Sequence, residues 1–133
     1  MSFYPFELVL AGVLAAAAPI AWAAGPDWSK AITVSMVMSE YQFTPDHLSF
    51  ERGKPYRLHL ANAGRELHEI DAPEFFKTIT PADTTMLVRE GQEIDVEPGQ
   101  QADFLFVPNA TGQFPFECED HVEFGMTGSI AVK

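Results

Sequence analysis

Phe114-Pro115-Phe116-Glu117-Cys118-Glu119-Asp120-His121-Val122-Glu123-Phe124-Gly125-Met126-Thr127-Gly128 reads as a strand, a loop and the opening of a second strand. Phe114, Phe116 and Cys118 share one face, at the period of two that a half-buried strand requires. The period breaks at His121, and a last strand runs from Gly128 to Val132. Cys118, His121 and Met126 follow at Cys-x2-His-x4-Met spacing. A loop curling between two strands can turn a thiol, an imidazole and a thioether inward onto one ion. From composition alone, a His and a Met at those distances from the single cysteine arise on the order of once in a thousand sequences.

Upstream, Ile32, Val34, Met36 and Met38 alternate with Thr33, Ser35 and Val37. Tyr56, Leu58 and Leu60 alternate with Arg57, His59 and Ala61 after the turn Arg52-Gly53-Lys54-Pro55. Ile94-Asp95-Val96 ends at Glu97-Pro98-Gly99, Ala102 to Val107 forms a further strand, and Asn109 to Gly112 turns the chain into Phe114. Short strands punctuated by Gly and Pro, without a long helical period, predict an all-β, antiparallel Greek-key sandwich. Pro73 to Thr80 predicts a helical turn or two, and residues 72–91, interrupted by Pro81, read as a crossover loop. The 133 residues make one domain, and 47% apolar residues supply its core.

Leu8 to Ala23 is an almost unbroken apolar run ending in Ala21-Trp22-Ala23, a small-x-small cleavage pattern. Gly12 and Pro19 interrupt it, and it falls short of the ~20 apolar residues of a spanning helix. Residues 1–23 are therefore expected to be a signal peptide and 24–133 the mature domain, exported to the periplasm without stable membrane insertion. The segment before the run carries Glu7 and no Lys or Arg, unlike an ordinary leader. The formal net charge of −11 excludes a nucleic-acid binder, which needs a basic face, and favours a cationic partner.

A fourth donor is expected from another loop, and His68, just past Asn62-Ala63-Gly64, is the natural candidate. Of its rivals, His59 points away from the core face of its strand and His47 sits in a turn beside Pro45 and Asp46. Two imidazoles, one thiolate and a weak thioether suit both Cu(I) and Cu(II) with little rearrangement. Zinc would prefer a closed tetrahedral set and gains little from Met126. Other readings stay open at this level: Cys118 as a buried hydrophobe, a Cys-His nucleophile, and Met36 with Met38 as core residues or a Cu(I) relay.

Tyr41-Gln42-Phe43-Thr44-Pro45, Gly53, Asn62-x-Gly64 ahead of His68, Glu97-Pro98-Gly99, and Gly112-Gln113-Phe114-Pro115-Phe116-Glu117-Cys118 with Gly125-Met126-Thr127-Gly128 together resemble the cupredoxin family. This is the plastocyanin, pseudoazurin and azurin group of blue copper proteins. The resemblance covers nearly the whole mature chain. It implies an eight-stranded Greek-key sandwich, one copper ion with equatorial His68, Cys118 and His121 and axial Met126, and the movement of single electrons. It also implies that the edge of His121 is the exposed exit for those electrons. Many members carry Asn after the first ligand His, where its amide ties the ligand loops together; this chain has Glu69. A carboxylate there is expected to accept the same kind of hydrogen bond, to lower the potential, or to hold a second cation.

Glu66, Glu69, Glu117, Glu119, Asp120 and Glu123 cluster around the expected ligands. Steering of a basic partner such as a c-type cytochrome, capture of copper ions, and plain solubility all account for such a cluster. The leading expectation is a non-enzymatic electron carrier. The alternative is a periplasmic protein for copper buffering, delivery or tolerance, which His68-Glu69 resembles. A copper oxidase or reductase is disfavoured, because only four histidines are available for a further copper centre.

Overall fold

A computed structural model describes residue 1 and residues 16–133. Most of the leader expected over 1–23 lies outside the described residues. Among the described residues no helix is long and apolar enough to cross a membrane.

The strands are β1 Ile32–Ser39, β2 Gln42–Thr44, β3 His47–Phe50, β4 Tyr56–Asn62, β5 His68–Asp71, β6 Ile79–Pro81, β7 Glu93–Val96, β8 Gln101–Pro108, β9 Gly112–Glu117 and β10 Thr127–Val132. They form two five-stranded sheets, in the orders β2-β1-β4-β8-β6 and β3-β10-β9-β5-β7. The expected sandwich of strands is present. Within it β1 runs parallel to β4 and β3 parallel to β10, while the other named pairs are antiparallel. Alternation has the same period in either direction, so the hydrophobic pattern carries no information about which neighbours run parallel.

Alternation places the core. Tyr56, Leu58 and Leu60 of β4 are buried, as are Met36 and Met38 of β1, so the two methionines are packing residues. Phe50 packs edge-on against Tyr56 and Phe106, with ring centroids 4.8 and 5.1 Å away, and Phe75 meets Phe106 at 5.5 Å. Each buried ring contributes about 2–3 kcal/mol through area alone, and the edge-to-face contacts add to that. Phe75 and Phe76 arrive on the helical turn α1, Pro73–Phe76, within the segment expected to be helical. Proline pre-sets the backbone angle at the first helical position, where its missing N–H costs nothing.

Four strands escape the hydrophobic pattern. β6 ends on Pro81 and lies at a sheet edge, where a residue without an N–H is tolerated. β2 is only three residues long, and β3 alternates over four. In β5, His68, Glu69 and Ile70 are all buried, so period two is absent.

Glu93, at the start of β7, is buried beside Arg89, with 3.2 Å between their charged groups. Burial pushes its carboxyl from an ordinary 4.5 up to about 7, the Asp95 and Glu69 carboxylates push the same way, and Arg89 opposes them. The folded chain thus keeps a proton that the unfolded chain releases between those two values. This contribution to stability is complete below pH 4.5 and is lost as pH rises through 7. Metal-free protein is expected to melt roughly 5 °C or more lower at pH 8 than at pH 4.5, relative to Glu93→Gln over the same interval. Parallel melting profiles of the two proteins would remove this assignment.

Candidate metal centre

The β9–β10 hairpin builds the ligand loop. Its register pairs Phe116 with Gly128 and Glu117 with Thr127. One step further, the Cys118 N–H donates to the Met126 carbonyl at 3.0 Å. Residues directly opposite in an antiparallel pair project to the same face, so Cys118 and Met126 both turn into the sandwich, and both are fully buried. Between them the chain winds a 3₁₀ turn, Glu119–Phe124, and reverses at Gly125, whose φ of 82° is left-handed. The His121 N–H donates to the Cys118 carbonyl at 3.0 Å, which holds His121 inside the turn.

β5 lies beside β9, with Asp71 opposite Glu117, and carries His68 to the same end of the sandwich. His68 therefore opens a strand, where the sequence pattern predicts a loop. Its Nδ1 stands 3.8 Å from Cys118 Sγ, and His121 Nδ1 stands 3.2 Å from the same sulfur. The donor atoms of all three residues lie within 4.8 Å of one another. A nitrogen and a sulfur sharing one first-row ion at ordinary bond lengths lie roughly 3.5–3.8 Å apart. The spacing thus requires little movement to close on one ion. His59, by contrast, is tied to Asp103 at 2.7 Å, and His47 to Ser129 at 2.6 Å.

Burial pushes the Cys118 thiol up to about 12, so without a cation it stays protonated at neutral pH. A reactive cysteine needs the opposite shift. A bound cation reverses the balance, because a coordinating thiol loses its proton outright.

The outward nitrogens of both rings face carboxylates. His68 Nε2 is 3.2 Å from Glu40 Oε1, and His121 Nε2 is 2.6 Å from Glu66 Oε2. An ionised carboxylate only accepts, which places each imidazole proton on Nε2 and leaves the Nδ1 lone pair pointing at the sulfur. Glu40 also accepts from the N–H groups of Arg65 and Glu66, at 2.6 and 2.9 Å. Those two bonds lead in holding its carboxyl down to about 2. Glu69 accepts from the Asp120 N–H at 2.7 Å and so links the strand of His68 to the loop of His121.

His121 departs from what the resemblance implies. The residue is only 7% exposed. Tyr41 covers it at 4.9 Å between centroids, Phe124 stacks on Tyr41 at 4.4 Å, and the Tyr41 hydroxyl donates to Glu66 at 3.3 Å. The outermost group is Phe124, 62% exposed. Glu40 escapes sequence reading because it lies 28 residues before His68 and has no motif around it. Gly64 was its one trace: a side chain there would occupy the space of the Glu40 carboxylate.

The cupredoxin-like domain family matches residues 9–132. Among solved structures, the chain is similar to dithionite-reduced auracyanin of Roseiflexus castenholzii, at 17% identity and TM-score 0.57, over 82% of this chain and 99% of that one. Auracyanin B is similar at 16% identity and TM-score 0.58, over 84% and 93%. The metal-binding domain of the Cu(I)-exporting P-type ATPase CopA of Streptococcus pneumoniae, solved with Cu(I), is similar at 17% identity and TM-score 0.51, over 76% and 84%. At these identities the likeness concerns the fold. No curated protein sequence matches significantly.

Proposed function

The chain belongs to the cupredoxin-like domain family, and from that membership we propose that it is a one-electron carrier holding one copper ion through His68, Cys118, His121 and Met126. The carrying observation is the buried convergence of two Nδ1 atoms on the Cys118 sulfur, at 3.8 and 3.2 Å. The donor set fits copper: two neutral imidazoles, a thiol that ionises on binding, and a thioether residue buried across the hairpin. Copper held there supplies a couple between Cu(I) and Cu(II).

The protein's own part is to keep the donors where both oxidation states accept them. Backbone hydrogen bonds across the β9–β10 end and the Glu69 bond to Asp120 resist rearrangement of the loop. Fully buried Cys118 and Met126 keep water from the sulfur side of the site. In this reading the protein is not an enzyme, is exported to the periplasm by the leader over 1–23, and meets a basic partner such as a c-type cytochrome. The negative charge of the whole chain supports the choice of partner.

The covered His121 ring favours a second reading, in which the protein buffers or delivers copper in the periplasm. Stopped-flow mixing of the copper-loaded, oxidised protein with a reduced basic cytochrome separates the two. A carrier is reduced fast, and the rate falls roughly tenfold between about 10 and 200 mM salt as the charges are screened. Slow reduction at every ionic strength would favour the buffering role.

A further inference from the structure

The two ligand imidazoles are each gripped from behind by a carboxylate, and both carboxylates belong to one connected arrangement. Glu40 sits in the space that Gly64 leaves open. There it accepts from the N–H groups of Arg65 and Glu66 and faces His68 Nε2 at 3.2 Å. By anchoring the backbone at residue 66, it also fixes the direction in which the Glu66 side chain leaves. That side chain reaches His121 Nε2 at 2.6 Å and is steadied by the Tyr41 hydroxyl at 3.3 Å. Neither contact is a solvated surface pair on its imidazole side, because His68 is fully buried and His121 is 7% exposed.

We propose that Glu40 and Glu66 are positioning residues that fix the orientation and tautomer of the two imidazole ligands and bias the site toward the more highly charged oxidised ion. The inference rests on the copper reading given above. A carboxylate accepting the Nε2 proton makes the imidazole a stronger donor at Nδ1. It also brings negative charge close to the ion across a buried ring, an effect that solvent at the half-exposed Glu66 carboxylate weakens but does not remove. Both effects favour Cu(II) over Cu(I), since the former has the larger charge and gains more from basic nitrogen ligands. Held orientation helps both states equally; the charge and donor strength do not. The two contributions are therefore separable by oxidation state.

Glu66→Gln is the decisive variant, because Gln keeps the length of the side chain and an oxygen that accepts from Nε2–H but loses the charge. It is expected to weaken Cu(II) binding about tenfold while leaving Cu(I) binding nearly unchanged. The midpoint potential then rises by about 59 mV, the one-electron equivalent of that factor. Glu123→Gln, an exposed change on the turn that carries His121, controls for overall charge and is expected to move the potential far less. Nitrogen-15 shifts of the metal-free protein report independently whether the His121 proton resides on Nε2, and Nδ1 protonation would overturn the proposal. Equal weakening of both oxidation states, or a shift no larger than that of Glu123→Gln, would reduce Glu66 to a structural role. A wild-type protein that binds Cu(II) without an intense visible band would instead defeat the copper reading itself, and this proposal with it.

Discussion

Cys118→Ser loaded with Cu(II) is expected to lose the intense visible absorption of the wild type entirely and to bind copper more than 100-fold more weakly. The band would arise from charge transfer out of a thiolate, and Cys118 is the only cysteine in the chain. Serine keeps the size of the side chain, so the change isolates the chemistry. Its hydroxyl is a hard, reluctantly ionised donor where a soft ion asks for a polarisable one. The loss should exceed the 10–100-fold typical of a residue that only supports a ligand. His68→Ala is expected to abolish the band as well, because its Nδ1 stands 3.8 Å from the sulfur. His59→Ala is expected to keep it, since that ring is engaged with Asp103 on the neighbouring strand. Absorption spectra of the three variants decide the matter. A band surviving in Cys118→Ser, or lost in His59→Ala and kept in His68→Ala, would overturn the ligand assignment.

The ligand loop is legible in the sequence because its parts are close together. Cys118, His121 and Met126 lie within one hairpin, and alternation up to Cys118 shows which face it takes. His68 is legible only by elimination, since its place beside Cys118 comes from the pairing of β5 with β9. The Glu40 contact needs the end of β1 to meet the start of β5, and the Glu66 contact needs the segment before β5 to meet the turn that carries His121; no local pattern records either approach. Glu69 is a middle case. Its position after His68 leaves open a link between the ligand loops, a lowered potential or a second cation, while its actual partner, the Asp120 backbone, becomes visible only in the fold. The covered face of His121 is a similar case: Tyr41 and Phe124 are 83 residues apart in the chain and meet ring to ring over the imidazole. Parallel pairing is illegible because alternation reads the same in either direction, and β5 because polar residues in a buried site erase the alternation by which strands are read.

Gly128 connects the stability of the sandwich to the geometry of the metal centre. It stands opposite Phe116 in the β9–β10 register, two residues after Met126. A methyl group added there would collide with the Phe116 ring and with the carbonyl oxygen of Asp46. The ring is 2% exposed and packs edge-on against Phe43 at 4.8 Å, so it has little room to retreat. The carbonyl accepts from the Ser129 N–H at 2.9 Å, so backbone would have to move with it. Gly128→Ala is therefore expected to cost about 3 kcal/mol, at the upper end of overpacking. Its melting temperature should fall by roughly 10 °C or more. Gly125→Ala provides the comparison: its φ of 82° strains an alanine, but nothing lies within 4 Å of the new carbon. That change is expected to cost only about 1 kcal/mol. Displacing β10 from β9 also strains the bond from Cys118 N–H to the Met126 carbonyl. The copper spectrum of Gly128→Ala should then shift even at temperatures where the protein stays folded. Denaturation curves of the two metal-free variants, followed by their copper spectra, test both halves. Equal stabilities would show that the close approach at Gly128 is not what holds the hairpin and its ligands together.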